Sequence, residues 1–264
     1  MDIGIIIGVV VAFGCILLGN MLEGGHIGSI VGGPAFLIVI GGTVGAVMVQ
    51  YPLAQCADSL KAAKKLFKKP SHDAAKLVDE IVEFAQKARK DGVLGLEKVA
   101  GSASHPFLTK GLLMAVDGSD SNAIRSTLET IITQEETHAE NAAKVYEAGG
   151  GYCPTIGIIG AVLGLIHVMS NLADINAVGT GIAAAFVATI YGVAAANIFF
   201  LPLAGRIKFR QHEETHVMEL MLAGVLAIQE GLNPKLVRER LAAFIPAHDG
   251  KHGAAAGAAE KAAA

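Results

Sequence analysis

Apolar positions along this chain come in long blocks, not in single alternating steps. Four blocks, at 3–22, 30–50, 153–173 and 181–204, approach the ~20 residues a helix needs to cross a bilayer. The first pair is joined by EGGHIGS and the second by ADINAVGT, both too short to hold a domain. The opening run, MDIGIIIGVVVAFGCILLGNML, has neither a basic start nor a small-residue cleavage site, so it reads as a retained span.

Between the second and third blocks the period changes to that of amphipathic helix. SLKAAKKLFKKP sets five lysines (61, 64, 65, 68 and 69) beside Leu60, Leu66 and Phe67, a basic amphipathic stretch suited to anionic headgroups. Ser71 is placed to cap a helix over 73–90 with Leu77, Ile81 and Phe84 on its apolar side. Asp91-Gly92 breaks that helix, and a second follows through Leu94, Leu96 and Val99. Asp117-Gly118-Ser119 marks a turn into a helix over 120–148, predicted to stop at Gly149-Gly150-Gly151. Beyond the fourth block, helix continues through RIKFRQHEETHVMELMLAGVLAIQEG, and Asn233 with Pro234 starts a last helix over 234–244.

The expected fold is therefore an all-α membrane protein: four transmembrane helices with a helical cytoplasmic domain inserted between spans two and three. Its segments are 1–50 (spans one and two with a short outer loop), 51–150 (the cytoplasmic domain), 151–204 (spans three and four) and 205–246 (C-terminal cytoplasmic helices). A disordered Ala/Gly-rich tail, 247–264, completes it.

Charge fixes the orientation. Of the 21 Lys and Arg residues, 13 lie in 51–150 and 8 after Gly205, with none in 1–50 or 151–204. Cationic segments stay on the cytoplasmic side, which places both termini there. Charged residues make up 17% of the chain, against about 25% in soluble domains. The net charge of −3 carries no sign of a nucleic-acid partner, and none is expected. Cys15, Cys56 and Cys153 are too scattered for a disulfide framework or metal site and read as small buried apolar residues.

Glycine in span three is the unusual feature, since Gly157, Gly160 and Gly164 each weaken a helix. Membrane helices associate through close packing that small residues permit. Span four offers Thr180, Ala184, Ala188, Gly192 and Ala196 at four-residue spacing; span one offers Gly4, Gly8 and Ala12, and span two Gly41 and Gly45. Packing within one chain accounts for some of these faces, and helices of other subunits are expected against the rest. Ionisable groups in the spans are few: Asp2 at the start, His167, and Asp174 at the outer edge. No carboxylate sits at midplane depth, where a proton relay would need one. Thr189 is the polar group left in mid-span, so any carboxylate on an ion path must come from a partner.

HEETH at 212–216 matches the zinc-protease pattern, with His212 and His216 as ligands and Glu213 as base. The continuation expected of one such class is absent, and a third ligand would have to be a downstream glutamate such as Glu230 or Glu239. A solvated helix face is the expected reading, with no metal and no catalytic role.

Four motifs, PTIGIIGAVLGLI, AAAFVATIYGVAAANIFFLPLAGRIK, GVLAIQEGLNPKLVRERLAAFIP and ARKDGVLGLE, resemble the MotA/PomA family of flagellar stator subunits. The resemblance covers 1–246. It implies a homo-oligomer, a pentamer in this family, surrounding a dimer of a MotB-like single-span partner that carries the ion-accepting aspartate. It also implies that Arg89, Lys90 and Glu97 engage the rotor protein FliG, and that Pro154 and Pro202 couple the membrane part to the cytoplasmic part. Sodium-driven members carry a threonine in span three and another in span four. The second is Thr189 here and the first is Ala161, so the resemblance implies protons as the transported ion, with sodium less favoured and no cofactor. The ExbB/TolQ energisers, more distantly similar, leave a subunit powering another envelope process as the alternative, and a scaffold without ion flux as a further one.

Overall fold

A computed structural model of the chain describes residues 3–67, 74–170, 172–173 and 175–245, with Ile3 and 175–177 as backbone only. Among these residues the secondary structure is helical throughout. The expectations placed on Asp2, Lys68, Lys69, Ser71, Asp174 and the tail 247–264 lie outside the described residues.

Four helices are long and apolar enough to cross a membrane: Gly4–Leu22, Gly33–Gln50, Ser121–Ser170 and Val178–Gln229. The second begins at Gly33 and not at 30, because Ile27–Ile30 closes a 3-10 turn first. Pro34 then occupies the first helical turn, where its missing N–H removes no bond. Within this span Leu37–Gly41 forms a π turn, and the buried Thr43 hydroxyl donates to the Val39 carbonyl at 2.6 Å.

The predicted stop at Gly149-Gly150-Gly151 is wrong. Helix runs unbroken from Ser121 to Ser170, through the glycines and through Pro154. Neighbouring side chains explain it: a Cβ on Gly149 would lie 2.6 Å from Phe200 Cδ1, and one on Gly150 2.6 Å from Leu201 Cδ2. These glycines serve close approach of another helix segment, which outweighs their intrinsic tendency to end one.

Contacts divide the chain into two compact units, Met1–Lys69 with Thr137–Arg210 and Pro70–Glu136 with Gln211–Ala264. Segment 51–150 is thus shared between them. In the first unit, helix Leu53–Leu66 buries Leu66 with Ala143, Tyr146, Ala204 and Ile207, while Leu60 and Phe67 stay exposed. The Tyr146 hydroxyl donates to the Ser59 carbonyl at 3.1 Å. Lys61 lies 2.8 Å from Asp58 and holds that carboxyl below its ordinary range. Of the cysteines only Cys153 is buried; Cys15 is exposed and Cys56 half-buried, which corrects the uniform expectation.

In the second unit, helix Ala74–Asp91 buries Leu77, Ile81 and Phe84 as its period requires. Gly92, at φ 75°, ends it in a conformation only glycine adopts freely. The stretch through Leu94, Leu96 and Val99 is a 3-10 turn, Val93–Leu96, and one short helical turn, Glu97–Ala100. A helix the sequence reading passed over, Pro106–Val116, follows. His105 Nδ1 accepts from the Phe107 N–H at 3.1 Å at its start, and Gly118 at φ 77° closes it. The last helix spans Pro234–Ala242, with the Asn233 side chain accepting from the Lys235 N–H as predicted.

Candidate functional site

Spans three and four form a seam built almost entirely on glycine and alanine. A Cβ on Gly157 would meet the Ala188 carbonyl oxygen at 3.0 Å and Gly192 Cα at 3.2 Å. One on Gly160 would meet Ala188 Cβ at 2.9 Å, and one on Gly164 Ala185 Cα at 3.2 Å. From the other side, a Cβ on Gly192 would sit 2.7 Å from the Cys153 carbonyl oxygen and 3.2 Å from Pro154 Cα. All three glycines of span three therefore serve its packing on span four of the same chain.

Within the chain the four-residue stripe is covered only in part: Ala188, Gly192 and Ala196 are buried, Ala184 and Thr180 are exposed, and Gly181 and Ala185 are buried beside them. The reason is geometric. An α-helix turns every 3.6 residues, so a strict four-residue spacing drifts about 40° per step and leaves the contact face. The buried set 181, 185, 188, 192 and 196 includes one three-residue step and stays on it.

Thr189 and Ala161 each stand one residue beyond the Gly160–Ala188 approach, at the margin of the seam, and both are half-buried. The Thr189 hydroxyl lies 3.4 Å from the Ala185 carbonyl, a long hydrogen bond that leaves its lone pairs available. A second polar group went unremarked in the sequence. Tyr191 donates its hydroxyl to the Ile30 carbonyl at 2.8 Å and accepts from the Gly32 N–H at 3.1 Å, satisfying one backbone group at the end of the 3-10 turn and one at the cap of the helix that follows. A lone tyrosine within an apolar run was the available signal. Pro154 lies half-buried inside a continuous helix. Pro202 is exposed and follows a π turn, Ala195–Phe200. His167 is exposed near the C-terminal end of span three.

Arg89 and Lys90 close helix Ala74–Asp91 and Glu97 opens the short turn after it, all three exposed. In HEETH, the His212 and His216 rings stack with centroids 5.9 Å apart, and His216 Nδ1 lies 3.2 Å from Glu219 Oε2. Glu230 is instead paired with Arg240 at 3.2 Å. Among the described residues, no group of three or more His, Cys, Asp or Glu is placed to hold a metal ion.

Two family models match: the MotA/TolQ/ExbB proton channel family over residues 100–220, and the motility protein A N-terminal region over 6–92. Motility protein A of Bacillus subtilis is 34% identical over 251 residues, covering 94% of this chain and 93% of its own. The chain belongs to the MotA/PomA family of motility proteins. The chemotaxis protein PomA of Vibrio alginolyticus is 33% identical over 93% of this chain and 96% of its own. MotAB of C. jejuni superposes with a TM-score of 0.89 at 30% identity, over 93% of this chain and 96% of that one. The flagellar MotAB stator complex of Bacillus subtilis does so with 0.87 at 33% identity, over 92% and 96%. Membership in this family, with four apolar helices, makes the chain a multi-pass inner-membrane protein. The family is one of ion-channel subunits and not of enzymes.

Proposed function

We propose that this chain is the multi-span subunit of a bacterial flagellar stator, joining proton flow across the inner membrane to torque on the rotor. The observation that carries this is the likeness to the MotAB stator structure along 93% of the chain, at a TM-score of 0.89. In this reading several copies, five by family analogy, surround a dimer of a MotB-like single-span partner. That partner supplies the carboxylate that spans three and four lack. The charged turn at Arg89, Lys90 and Glu97 faces the rotor protein FliG. The segment between spans two and three and both chain termini are cytoplasmic, in keeping with the distribution of Lys and Arg.

The choice of proton over sodium rests on Ala161. A desolvated sodium ion needs several oxygen ligands, whereas protonation needs only the carboxylate. With a methyl group at 161 and one hydroxyl at Thr189, the pair offers a single side-chain oxygen. The test is to express the chain with its partner in a stator-deficient strain and measure swimming in sodium-free, potassium-buffered medium. Motility abolished by a protonophore is expected. Swimming that needs sodium and survives the protonophore would overturn the ion, and paralysis under every condition would overturn the stator reading.

A further inference from the structure

We propose that helix Leu53–Leu66 is a binding site for anionic phospholipid, lying along the membrane surface with its outer face in lipid. Only the membrane placement of the spans is needed for this, not their role in a stator. The inner face of the helix is already occupied. Leu66 packs with Ala143, Tyr146, Ala204 and Ile207, and Ala62 and Ala63 lie alongside. The buried Ser59 offers its carbonyl to the Tyr146 hydroxyl, and Gln55 Nε2 donates to the Asn141 carbonyl at 3.2 Å.

The opposite face is apolar as well, and nothing in the chain covers it. Leu53, Leu60 and Phe67 are 66%, 60% and 43% exposed. Their seven-residue spacing falls only about 20° short of two full turns, so they stand in one line, with the exposed Ala57 between the first two. Depth follows from the neighbours. Only Tyr51 and Pro52 separate this helix from the end of span two at Gln50. Its seat lies where charge borders the apolar blocks, Tyr146 beside Glu147 ahead of span three and Ile207 beside Arg206 after span four. An apolar stripe at that level meets the boundary of headgroups and acyl chains.

Charge decides which lipid. Lys64 follows Leu60 by one helical turn and Lys61 and Lys65 run along the edge of the stripe, all exposed. Among the described Lys and Arg residues of this unit, Lys64 and Lys65 alone have no partner. Lys61 is paired with Asp58, Lys144 with Glu140 and Lys208 with Glu147. Arg206 lies over the Phe209 ring at 5.4 Å, and Arg210 is engaged as well. Two uncommitted ammonium groups beside an apolar stripe suit a lipid phosphate, since lysine stems lie on apolar surface while their heads reach outward. Over 53–69 the chain carries five lysines against one aspartate, a bias that anionic headgroups attract and neutral ones do not. Lysine binds phosphate as a point charge, so the site selects the charge class of the lipid and not one species.

The test uses the full chain purified with its partner and has two readouts, neither of which depends on motor activity. The first is depth. The chain contains no tryptophan, so Leu60→Trp introduces one, and the unsubstituted complex corrects for any in the partner. In vesicles of phosphatidylcholine and phosphatidylglycerol, brominated acyl chains should quench its fluorescence. An unquenched tryptophan would mean that water or a second copy of the chain meets the stripe, and would overturn the site. The second is charge. Phosphatidylglycerol titrated into the detergent-solubilised complex at low salt should raise its melting temperature, and phosphatidylcholine should not. Lys64→Gln with Lys65→Gln should need about thirtyfold more phosphatidylglycerol for half the rise, while the paired change to Arg stays near wild type. If the Gln variant is too unstable to purify, the Arg pair and added salt decide: salt should abolish the rise. A rise of equal midpoint in the Gln variant, an equal rise with phosphatidylcholine, or a rise indifferent to salt would each overturn the anionic site.

Discussion

Gly192 is a point of the membrane seam that cannot yield, because the atom facing it is a backbone oxygen that no rotamer can move aside. Alanine there would place a methyl carbon 2.7 Å from the Cys153 carbonyl and 3.1 Å from Gly157 Cα. Overpacking of this kind costs about 1–3 kcal/mol. Gly205, on the same helix, meets nothing within 4 Å, so alanine there should instead gain the ~1 kcal/mol of helix propensity that glycine forgoes. Thermal unfolding of the detergent-purified complex separates the two: Gly192→Ala is expected to melt lower and Gly205→Ala no lower than wild type. Equal melting of Gly192→Ala and wild type would show that the spans slide to make room. That glycines 157, 160 and 164 lie on a packing face was legible in the sequence, since small residues in a lipid span have few other uses. Which helix they meet was not, because spacing reveals a face and not its occupant.

At the scale of elements, local rules held where a residue's own backbone decides and failed where a neighbour does. Gly92, Gly118 and Asn233 work through their own conformation or side chain: Gly92 ends the helix predicted before it, Gly118 makes the turn predicted ahead of the long helix, and Asn233 caps the last one. Gly149 and Gly150 work through Phe200 and Leu201, which sequence does not place beside them. Helix Pro106–Val116 carried a readable start in His105-Pro106 and was missed only because its apolar run is short. Pro202 is the element-scale device with the clearest consequence. Lacking an N–H, it leaves the carbonyl four residues earlier without its helical donor. The chain answers with the π turn Ala195–Phe200, where the Leu201 N–H bonds Ala196. Pro202→Ala supplies the missing donor, so amide exchange over 198–206 should slow in the purified complex. If this weak turn transmits motion, torque should fall while the complex still assembles. Unchanged exchange would separate the π turn from the proline.

For the whole molecule, the informative fact is that one core is assembled from two distant stretches. Leu77, Ile81, Leu108, Leu112, Ile124 and Leu128 come from before the membrane hairpin of spans three and four, and Leu220, Met221, Leu226, Ile228 and Leu241 from after it. The sequence treated these as separate segments because each alone shows only an amphipathic stripe, which names no counterpart. Glycine again sets the fit: a Cβ on Gly111 would lie 2.9 Å from Val225 Cγ2, and one on Gly224 2.7 Å from Ile81 Cγ2. Neither stretch buries its apolar face without the other, so stability of this unit should depend on the shared core far more than on surface ion pairs. Leu112 is fully buried, and Leu112→Ala is expected to cost about 2–5 kcal/mol through lost burial and the cavity left behind. The Asp79–Arg238 pair spans the same two stretches but is exposed at both ends, so Asp79→Ala should cost under about 1 kcal/mol. Limited proteolysis of the intact complex measures both at once. Leu112→Ala should speed cleavage within 74–136 and within 211–245 together, while Asp79→Ala leaves both near wild type. Faster cleavage in only one of the two stretches would mean that they fold independently, against the single core described here.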